Sequence, residues 1–154
     1  MAVDLAPLVE RLRERIGTEG AALTRKVELG EIVRFAHSIG ETHPIYLDEA
    51  YARTTRFGAV IAPPTFVSVF TPEAFTGVFD RDMPFARFLH TDDVVENHRP
   101  IRAGDVITAQ ARFVDVFTRT GRNGEMLFQG ADMTLTNQDG ERVAVVRVYT
   151  VYFD

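Results

Sequence analysis

The chain has 154 residues, 45% of them hydrophobic and 25% charged, which is typical of one globular domain that buries its own core without disulfide or metal support. Seventeen Lys and Arg against 22 Asp and Glu give a net charge of -5, and since no basic block is present, the sequence argues against a nucleic-acid partner. The absence of cysteine excludes disulfides and thiolate chemistry, and the lack of an apolar leader or an 18-residue apolar run predicts a cytoplasmic protein with no membrane partner.

The first segment predicts an amphipathic helix over residues 4–16, with Asp4 as its N-cap. Apolar residues recur there at a spacing of three and four, namely at Leu5, Leu8, Val9, Leu12 and Ile16. Gly17 and Gly20 end the pattern. We therefore expect residues 1–20 to form a helical extension on a single domain that spans residues 1–154.

Two further helices are expected before the sheet. A short extended segment over 23–27 leads into a helix with apolar positions up to Ile39, and Gly40 occupies its expected C-cap. Pro63 and Pro64 then introduce residues 65–70, which are apolar nearly all round, as in a helix enclosed by a sheet. Pro72 is expected to kink or reshape the continuation of this helix.

From residue 87 onward the sequence predicts four long strands in an antiparallel meander. The expected strands cover residues 87–99, 106–120, 125–137 and 142–153, and the turns between them are 102–105, 121–124 and 139–140, all with hairpin chemistry. One face of the second strand is expected to carry Ile107, Ala109, Ala111, Phe113 and Phe117. The last strand is apolar on both faces and is predicted to be central or at a subunit contact.

Four motifs together carry a resemblance to a known family. They are GETHPIYLDEAYA from residue 40, FGAVIAPPTF from residue 57, NHRPIRAGD from residue 97 and LTNQDGE from residue 135. In this order they resemble the MaoC-like or FAS1-like dehydratase N-terminal family, and the Ala-Pro-x-Thr-Phe run is most similar to the substrate-binding subunit of hydroxyacyl-ACP dehydratase. The resemblance implies an α+β hot-dog fold, in which a long antiparallel sheet wraps around a central apolar helix.

Members of that family hydrate enoyl thioesters with an Asp and a His on the loop that GETHPIY resembles. At the corresponding positions this chain has Glu41 for the Asp, His43 for an Asn and Tyr46 for the His. Glu41 keeps a carboxylate on a longer side chain, and Tyr46 is a phenol that donates a hydrogen bond but is no unaided base. His43 either restores an imidazole beside Glu41 or helps to hold the loop by hydrogen bonds. Glu41, His43 and Tyr46 are thus the candidate catalytic residues, on a degenerate motif.

The entrance to the central helix departs from the family as well. Catalytic relatives use a backbone N–H there to bind the thioester oxygen, whereas Pro63 and Pro64 have no N–H. The resemblance still implies substrate binding by Pro63, Pro64, Thr65, Phe66 and Phe70. Phe66 and Phe70 would line an acyl-chain tunnel or form part of the core. The four histidines have no metal-ligand spacing, and we expect no metal site.

Three functions remain open from the sequence. The favoured one is a subunit of an (R)-specific enoyl-thioester hydratase or 3-hydroxyacyl-thioester dehydratase, with the catalytic Asp and His supplied by a partner hot-dog subunit. The alternatives are a self-sufficient homodimeric hydratase that uses Glu41 with His43, and a non-catalytic acyl-thioester-binding protein. Each implies a homodimer or heterodimer and an acyl-CoA or acyl-ACP partner. No cofactor is expected, because the coenzyme A or carrier-protein arm belongs to the substrate.

Overall fold

A computed structural model describes residues 4–122 and 124–154. Its first helix, α1 (Ala6–Arg13), is shorter than the predicted 4–16. Leu5 occupies the N-cap, although the Asp4 carboxylate accepts a hydrogen bond from the Ala6 N–H at 3.0 Å. Ile16 was expected on the buried face but is 48% exposed, because the helix has already ended and the chain turns away. Residues 1–3 of the expected extension and Asn123 of the predicted 121–124 turn lie outside the described residues.

The elements that lead to the 40–46 loop follow the predicted order. Strand β1 (Leu23–Lys26) precedes α2 (Leu29–Ser38). A 3-10 helix (Pro44–Tyr46) forms the end of the loop, and α3 (Glu49–Arg53) follows it. Gly40 has a φ of +74°, as the predicted C-cap glycine requires.

The central helix runs from Pro64 to Ala74 in two pieces. Pro64–Phe70 is a 3-10 helix, and Thr71–Ala74, which we call α4, is a single α-helical turn. Pro72 lies at the start of α4, where its missing N–H costs no intrahelical bond, and this confirms that the proline reshapes the helix. Phe66, Val67 and Phe70 are buried against the sheet.

The strands form one antiparallel sheet in the order β1-β3-β4-β5-β2. Its long strands are β2 (Arg87–Asn97), β3 (Val106–Gly121), β4 (Gly124–Thr136) and β5 (Arg142–Phe153). The predicted meander is correct for β3, β4 and β5 but wrong for β2, which pairs with β5. The 102–105 turn is therefore no hairpin. The backbone of this turn bonds to Val27 and Val60 instead, because the chain must cross the sheet from β2 at one edge to β3, which lies beside β1 near the other edge.

The expected face of β3 is correct up to Phe113 and wrong beyond it. A β-bulge between Phe113 and Asp115 inserts one residue, which moves every later side chain to the opposite face. Val116 is consequently buried, and Phe117 stacks on Phe128 with ring centroids 4.9 Å apart on the other face.

The core lies between the central helix and the concave face of the sheet. Fully buried side chains from both layers fill it, namely Phe66, Phe70, Ile107, Phe113, Leu127, Met133 and Leu135. The buried Gln129 amide donates to the Asp80 carbonyl at 2.8 Å and accepts from its N–H at 3.1 Å. This reciprocal pair anchors the segment that follows the central helix without leaving the amide unsatisfied.

β5 is central, as one of the two sequence readings predicted, since β4 and β2 flank it. Among residues 4–122 and 124–154, no helix has the length and apolarity to cross a bilayer.

Candidate functional site

The loop at residues 40–46 starts from a helix end that is closed by backbone hydrogen bonds. The Glu41 N–H donates to the Ala36 carbonyl at 2.9 Å, and the Gly40 N–H donates to the His37 carbonyl at 3.1 Å. These bonds, with Gly40 in the left-handed region, form a Schellman motif. The direction in which the loop leaves α2 is therefore set by the backbone.

The Glu41 carboxylate is turned toward its own loop. Its Oε1 accepts from the backbone N–H groups of Thr42 at 2.9 Å and His43 at 3.0 Å. These two bonds stabilise the charged form and lower the pKa of Glu41, with a smaller contribution from the nearby His43 side chain. A general base gains from a raised pKa, so this environment favours a structural carboxylate.

His43 is also used to hold the backbone. Its Nδ1 accepts from the Ile45 N–H at 3.1 Å and thereby caps the 3-10 helix Pro44–Tyr46. The ring lies edge-on to Tyr46 and Tyr51, with centroids 6.1 and 5.9 Å away. Glu41 and His43 are close in space, but each bonds the following backbone, and no side-chain hydrogen bond joins them within the part of the chain that the structure describes.

Tyr46 faces a different direction, into a cleft of about 280 Å³ beside the entrance to the central helix. Pro63 and Pro64 line the same cleft, so the structure brings together these three candidate residues. Glu41 and His43 are not part of its lining.

The cleft has an apolar floor and a polar rim. The floor consists of Phe57, Ile61, Ala62, Val67, Pro100 and Ile101, and the rim consists of Tyr46, Arg56, Asn97, His98 and Arg99. Such a combination suits a ligand with an apolar chain and a polar head.

Backbone hydrogen bonds join the walls of the cleft. The Ala62 N–H donates to the Ile101 carbonyl at 2.8 Å, and the Ala103 N–H donates to the Val60 carbonyl at 3.0 Å. The 97–103 segment is thus fixed to the chain that enters the central helix.

The two arginines of the rim differ in their partners. Arg99 pairs with Glu141 at 2.9 Å. The Arg56 guanidinium lies over the Phe57 ring, 4.7 Å from its centroid, and makes no salt bridge within residues 4–122 and 124–154. Arg56 is therefore the rim cation that is available to an anionic group.

The entrance to the central helix offers no N–H at its first two positions. Pro63 is the N-cap and Pro64 the first helical residue, and the Pro63 carbonyl accepts from the Phe66 N–H at 2.9 Å. The first free amide is that of Thr65, which is exposed and outside the cleft lining. An oxyanion bound at this helix entrance would lack the usual backbone donor.

Phe66 and Phe70 lie deeper than the cleft. Both are 0% exposed, and Phe66 packs edge-on against Phe35 with centroids 5.4 Å apart. The Arg25 guanidinium covers the Phe70 ring at 4.5 Å. In this structure both rings are core side chains, and neither lines the cleft.

The sequence reasoning did not single out Arg56, Asn97, His98 or Arg99 as site residues. They come together only because the end of β2 packs beside the chain that follows α3. The available signal was that the FGAVIAPPTF run, which Arg56 directly precedes, and the NHRPIRAGD run both contribute to the family resemblance. Among the described residues, no group of three His, Cys, Asp or Glu side chains is arranged to hold a metal ion.

Comparison with known proteins gives a consistent family assignment. A family model described as "FAS1-like, dehydratase domain region" matches residues 14–146. A protein of Thermobifida fusca named "UPF0336 protein" is 33% identical over 109 residues, which cover 69% of this chain and 70% of that one. The matches span about two thirds of the length of the first curated relatives.

Solved structures share the architecture. One described as "MaoC-like dehydratase" superposes with a TM-score of 0.81 at 25% identity and covers 92% of this chain and 43% of that chain. The Mycobacterium tuberculosis HadBC (3R-hydroxyacyl-ACP dehydratase) complex gives a TM-score of 0.74 at 23% identity, with 89% and 96% covered.

Proposed function

The chain belongs to the FAS1-like dehydratase region family and has the hot-dog fold of the MaoC-like dehydratases, and from this premise we propose that it is the acyl-binding subunit of an (R)-specific enoyl-thioester hydratase or 3-hydroxyacyl-thioester dehydratase. A partner hot-dog subunit supplies the catalytic Asp and His. The observation that carries the proposal is the combination of an intact cleft with a loop whose polar side chains bond its own backbone.

The reaction defines what is missing from this chain. In hydration, the oxygen of water bonds to C3 while a base takes one of its protons, and an acid delivers a proton to C2. The thioester oxygen carries negative charge meanwhile and needs donors. Glu41 has a lowered pKa, His43 caps a helix, and the helix entrance begins with two prolines. The base, the acid and the oxyanion donor are therefore all expected on the partner, and no metal or redox cofactor is required.

The cleft supports a role in binding the substrate. Its apolar floor accommodates the part of the acyl thioester that adjoins the reacting carbons, and Arg56 is placed to meet an anionic phosphate of the coenzyme A or carrier-protein arm. Charge-assisted bonds to phosphate are among the stronger polar contacts in proteins.

The decisive experiment measures hydration with and without a partner. Crotonyl-CoA and longer enoyl-CoAs are offered to the purified chain while loss of the enone absorbance is followed, alone and after addition of a hot-dog protein encoded beside it. We expect turnover in the mixture only. Activity of the chain alone that disappears in Glu41→Gln would instead establish a self-sufficient hydratase. Acyl-CoA binding without turnover in any mixture would leave a binding protein.

The role of the cleft is tested separately by acyl-CoA binding in calorimetry. Arg56→Gln removes the rim cation, and we expect the Kd to rise about tenfold, since one charge-assisted bond is worth about 1.5 kcal/mol or more. Arg53→Gln is the matched control, because Arg53 is exposed, pairs with Glu49 at 3.8 Å and lies outside the cleft. Equal effects of the two substitutions would argue against a phosphate contact at Arg56.

A further inference from the structure

A second cavity lies on the convex face of the sheet, which points away from the core. Thr134, one of its lining residues, stands between the buried Met133 and Leu135, so its side chain is on the opposite face from theirs. The cavity has a volume of about 380 Å³. Apart from Val145 its lining is polar and consists of Glu19, Gln110, Arg112, Asp132, Thr134 and Arg142.

The strand register places Thr134 between two arginines. Arg112 of β3 pairs with Asp132, two residues before Thr134. Arg142 of β5 pairs with Thr136, two residues after it. Each arginine is therefore a diagonal neighbour of Thr134, and such neighbours are about 7–8 Å apart, within reach of a long side chain. An anionic group above Thr134 can thus contact both guanidinium groups.

A β-bulge brings Arg142 to this face of the sheet. Leu135 pairs with Ala144, but Thr136 pairs with Arg142, so Val143 is an inserted residue. In a regular strand Arg142 would share the concave face with the buried Ala144. Bulges recur beside functional sites, where they redirect a side chain. Here the bulge adds a second cation to the cavity.

The two arginines have no acidic partner of their own. Within residues 4–122 and 124–154, neither Arg112 nor Arg142 makes a salt bridge. Asp132 lies directly opposite Arg112, yet its two oxygens accept from Arg147 Nε and Nη2, both at 2.6 Å. This bidentate pair occupies the carboxylate that would otherwise neutralise Arg112.

The second carboxylate of the cavity is also engaged. Glu19 Oε2 accepts a hydrogen bond from Gln110 Nε2 at 3.2 Å. Once Asp132 is counted with Arg147, Glu19 is the single negative charge of the lining against Arg112 and Arg142. The cavity therefore keeps a positive charge on a chain whose net charge is -5.

We propose that this cavity binds the phosphate group of a small molecule above Thr134. Arg112 and Arg142 are its cationic contacts, and the Thr134 hydroxyl is a neutral donor. Guanidinium groups match phosphate oxygens bidentately, and two of them balance a phosphate monoester, which carries about 1.5 to 2 negative charges at pH 7. The volume also suits the organic part of the ligand, since small-molecule sites span about 300–1,000 Å³.

The phosphate site does not rest on the proposed function. Its lining shares no residue with the cleft beside the central helix. Hydration assays therefore bear on the function, and residue-resolved phosphate binding to the chain alone bears on this site. The phosphate has two possible sources, the 3′-phosphate of coenzyme A or a separate phosphorylated molecule.

An NMR titration of the chain with inorganic phosphate locates the binding. The titration is run at constant ionic strength, with sodium chloride as the counter-titrant. We expect saturable shifts of the Thr134 amide and of the Nε–H signals of Arg112 and Arg142. The absence of such shifts, or shifts confined to the cleft residues, would overturn the proposal.

Substitutions test whether the two arginines carry the binding. Arg112→Gln and Arg142→Gln should each raise the Kd for inorganic phosphate about tenfold, and Thr134→Val should raise it less. Arg119→Gln is the matched control, because Arg119 removes the same charge from β3, lies over the Phe117 ring at 5.2 Å and is outside the cavity. An equal rise for Arg119→Gln would reduce the effect to net charge and overturn the site. Unchanged melting temperatures without phosphate confirm that the variants fold.

The source of the phosphate is identified by three further titrations. Coenzyme A and dephospho-coenzyme A differ only in the 3′-phosphate, and glycerol 3-phosphate is an independent monoester. Shifts at Thr134 with coenzyme A and not with its dephospho form would assign the site to the substrate arm. Shifts with glycerol 3-phosphate and with neither coenzyme would assign it to a separate phosphorylated molecule. No shift at Thr134 with any of the three would contradict binding of a phosphate ester.

Discussion

The loop at residues 40–46 and the central helix both keep the frame of a hydratase site, yet different forces hold them. In the loop, exposed or half-buried polar side chains bond the adjacent backbone, as Glu41 and His43 do. In the central helix, aromatic side chains are fully buried, as Phe66 and Phe70 are. The comparison teaches that local capping holds the loop in its conformation, whereas core packing holds the central helix.

The largest effect is expected at the central helix. Phe66→Ala should lower the free energy of unfolding by about 3 to 5 kcal/mol, because it removes a buried ring and leaves a cavity. Urea denaturation of the isolated chain measures this loss. Ile39→Ala is the control, since Ile39 is 50% exposed and its truncation should cost far less. A cost below about 1 kcal/mol for Phe66→Ala would mean that the ring faces a ligand tunnel and not the core.

The second-largest loss of stability is expected for a substitution at Gly40, where the backbone enters the loop. Gly40→Ala should destabilise by about 1 to 2 kcal/mol, because an L residue is strained at a φ of +74°. The added Cβ meets no atom within 4 Å, so the cost is conformational only. Thermal unfolding gives the value.

Gly30→Ala is a matched control for Gly40→Ala, because it should stabilise the fold where Gly40→Ala destabilises it. Gly30 is inside α2, and its Cβ would approach only the Arg34 Nη1 at 3.3 Å, at the end of a flexible side chain. Alanine is favoured there by up to about 1 kcal/mol. If both substitutions destabilise equally, the left-handed turn is not what directs the loop.

A smaller loss of stability is expected for a substitution at Asp48, where the chain leaves the loop. The Asp48 carboxylate caps α3 and accepts from the N–H groups of Ala50 at 2.8 Å and Tyr51 at 3.1 Å. Asp48→Ala should cost about 1 kcal/mol, whereas Asp48→Asn keeps an acceptor and should cost only tenths. Chemical denaturation of the two variants separates the cap from the charge. An equal loss in both would assign the effect to charge alone.

The features that the sequence predicted are those set by local chemistry. Gly40 ends α2 because only glycine enters the left-handed region without strain. Pro72, which has no N–H, lies where the 3-10 segment ends and a new α-helical turn starts. Both rules act within a few residues. The hot-dog architecture followed from the apolar helix, the long strands and the motif order together.

The features that it missed depend on distant partners. The bulge between Phe113 and Asp115 reverses the face of Phe117, yet nothing near Val114 differs from an ordinary strand sequence. The 102–105 turn has hairpin chemistry, but β2 pairs with β5 and not with β3, so the chain must cross the sheet at this turn. Arg56 and His98 meet at one cleft across about 40 residues of chain, which no local pattern encodes.

The smallest change in stability is expected from protonation of Glu41. It tests most directly whether the loop, unlike the helix, is held by hydrogen bonds from its own backbone. Hydrogen bonds from Thr42 and His43 lower its pKa in the folded state, so its carboxylate stabilises the fold above the unfolded pKa of about 4.3. That contribution to stability should be lost as the pH falls through the pKa of Glu41 in the folded state. The melting temperature of the unmodified chain should therefore exceed that of Glu41→Gln by a constant amount above about pH 5, and the difference should shrink in acid. Glu41→Ala removes the acceptor as well and should be less stable than Glu41→Gln at every pH. An NMR titration of the Thr42 and His43 amides whose midpoint lies above the ordinary glutamate value would show a desolvated carboxylate suited to a general base, and the loop would then hold chemistry after all.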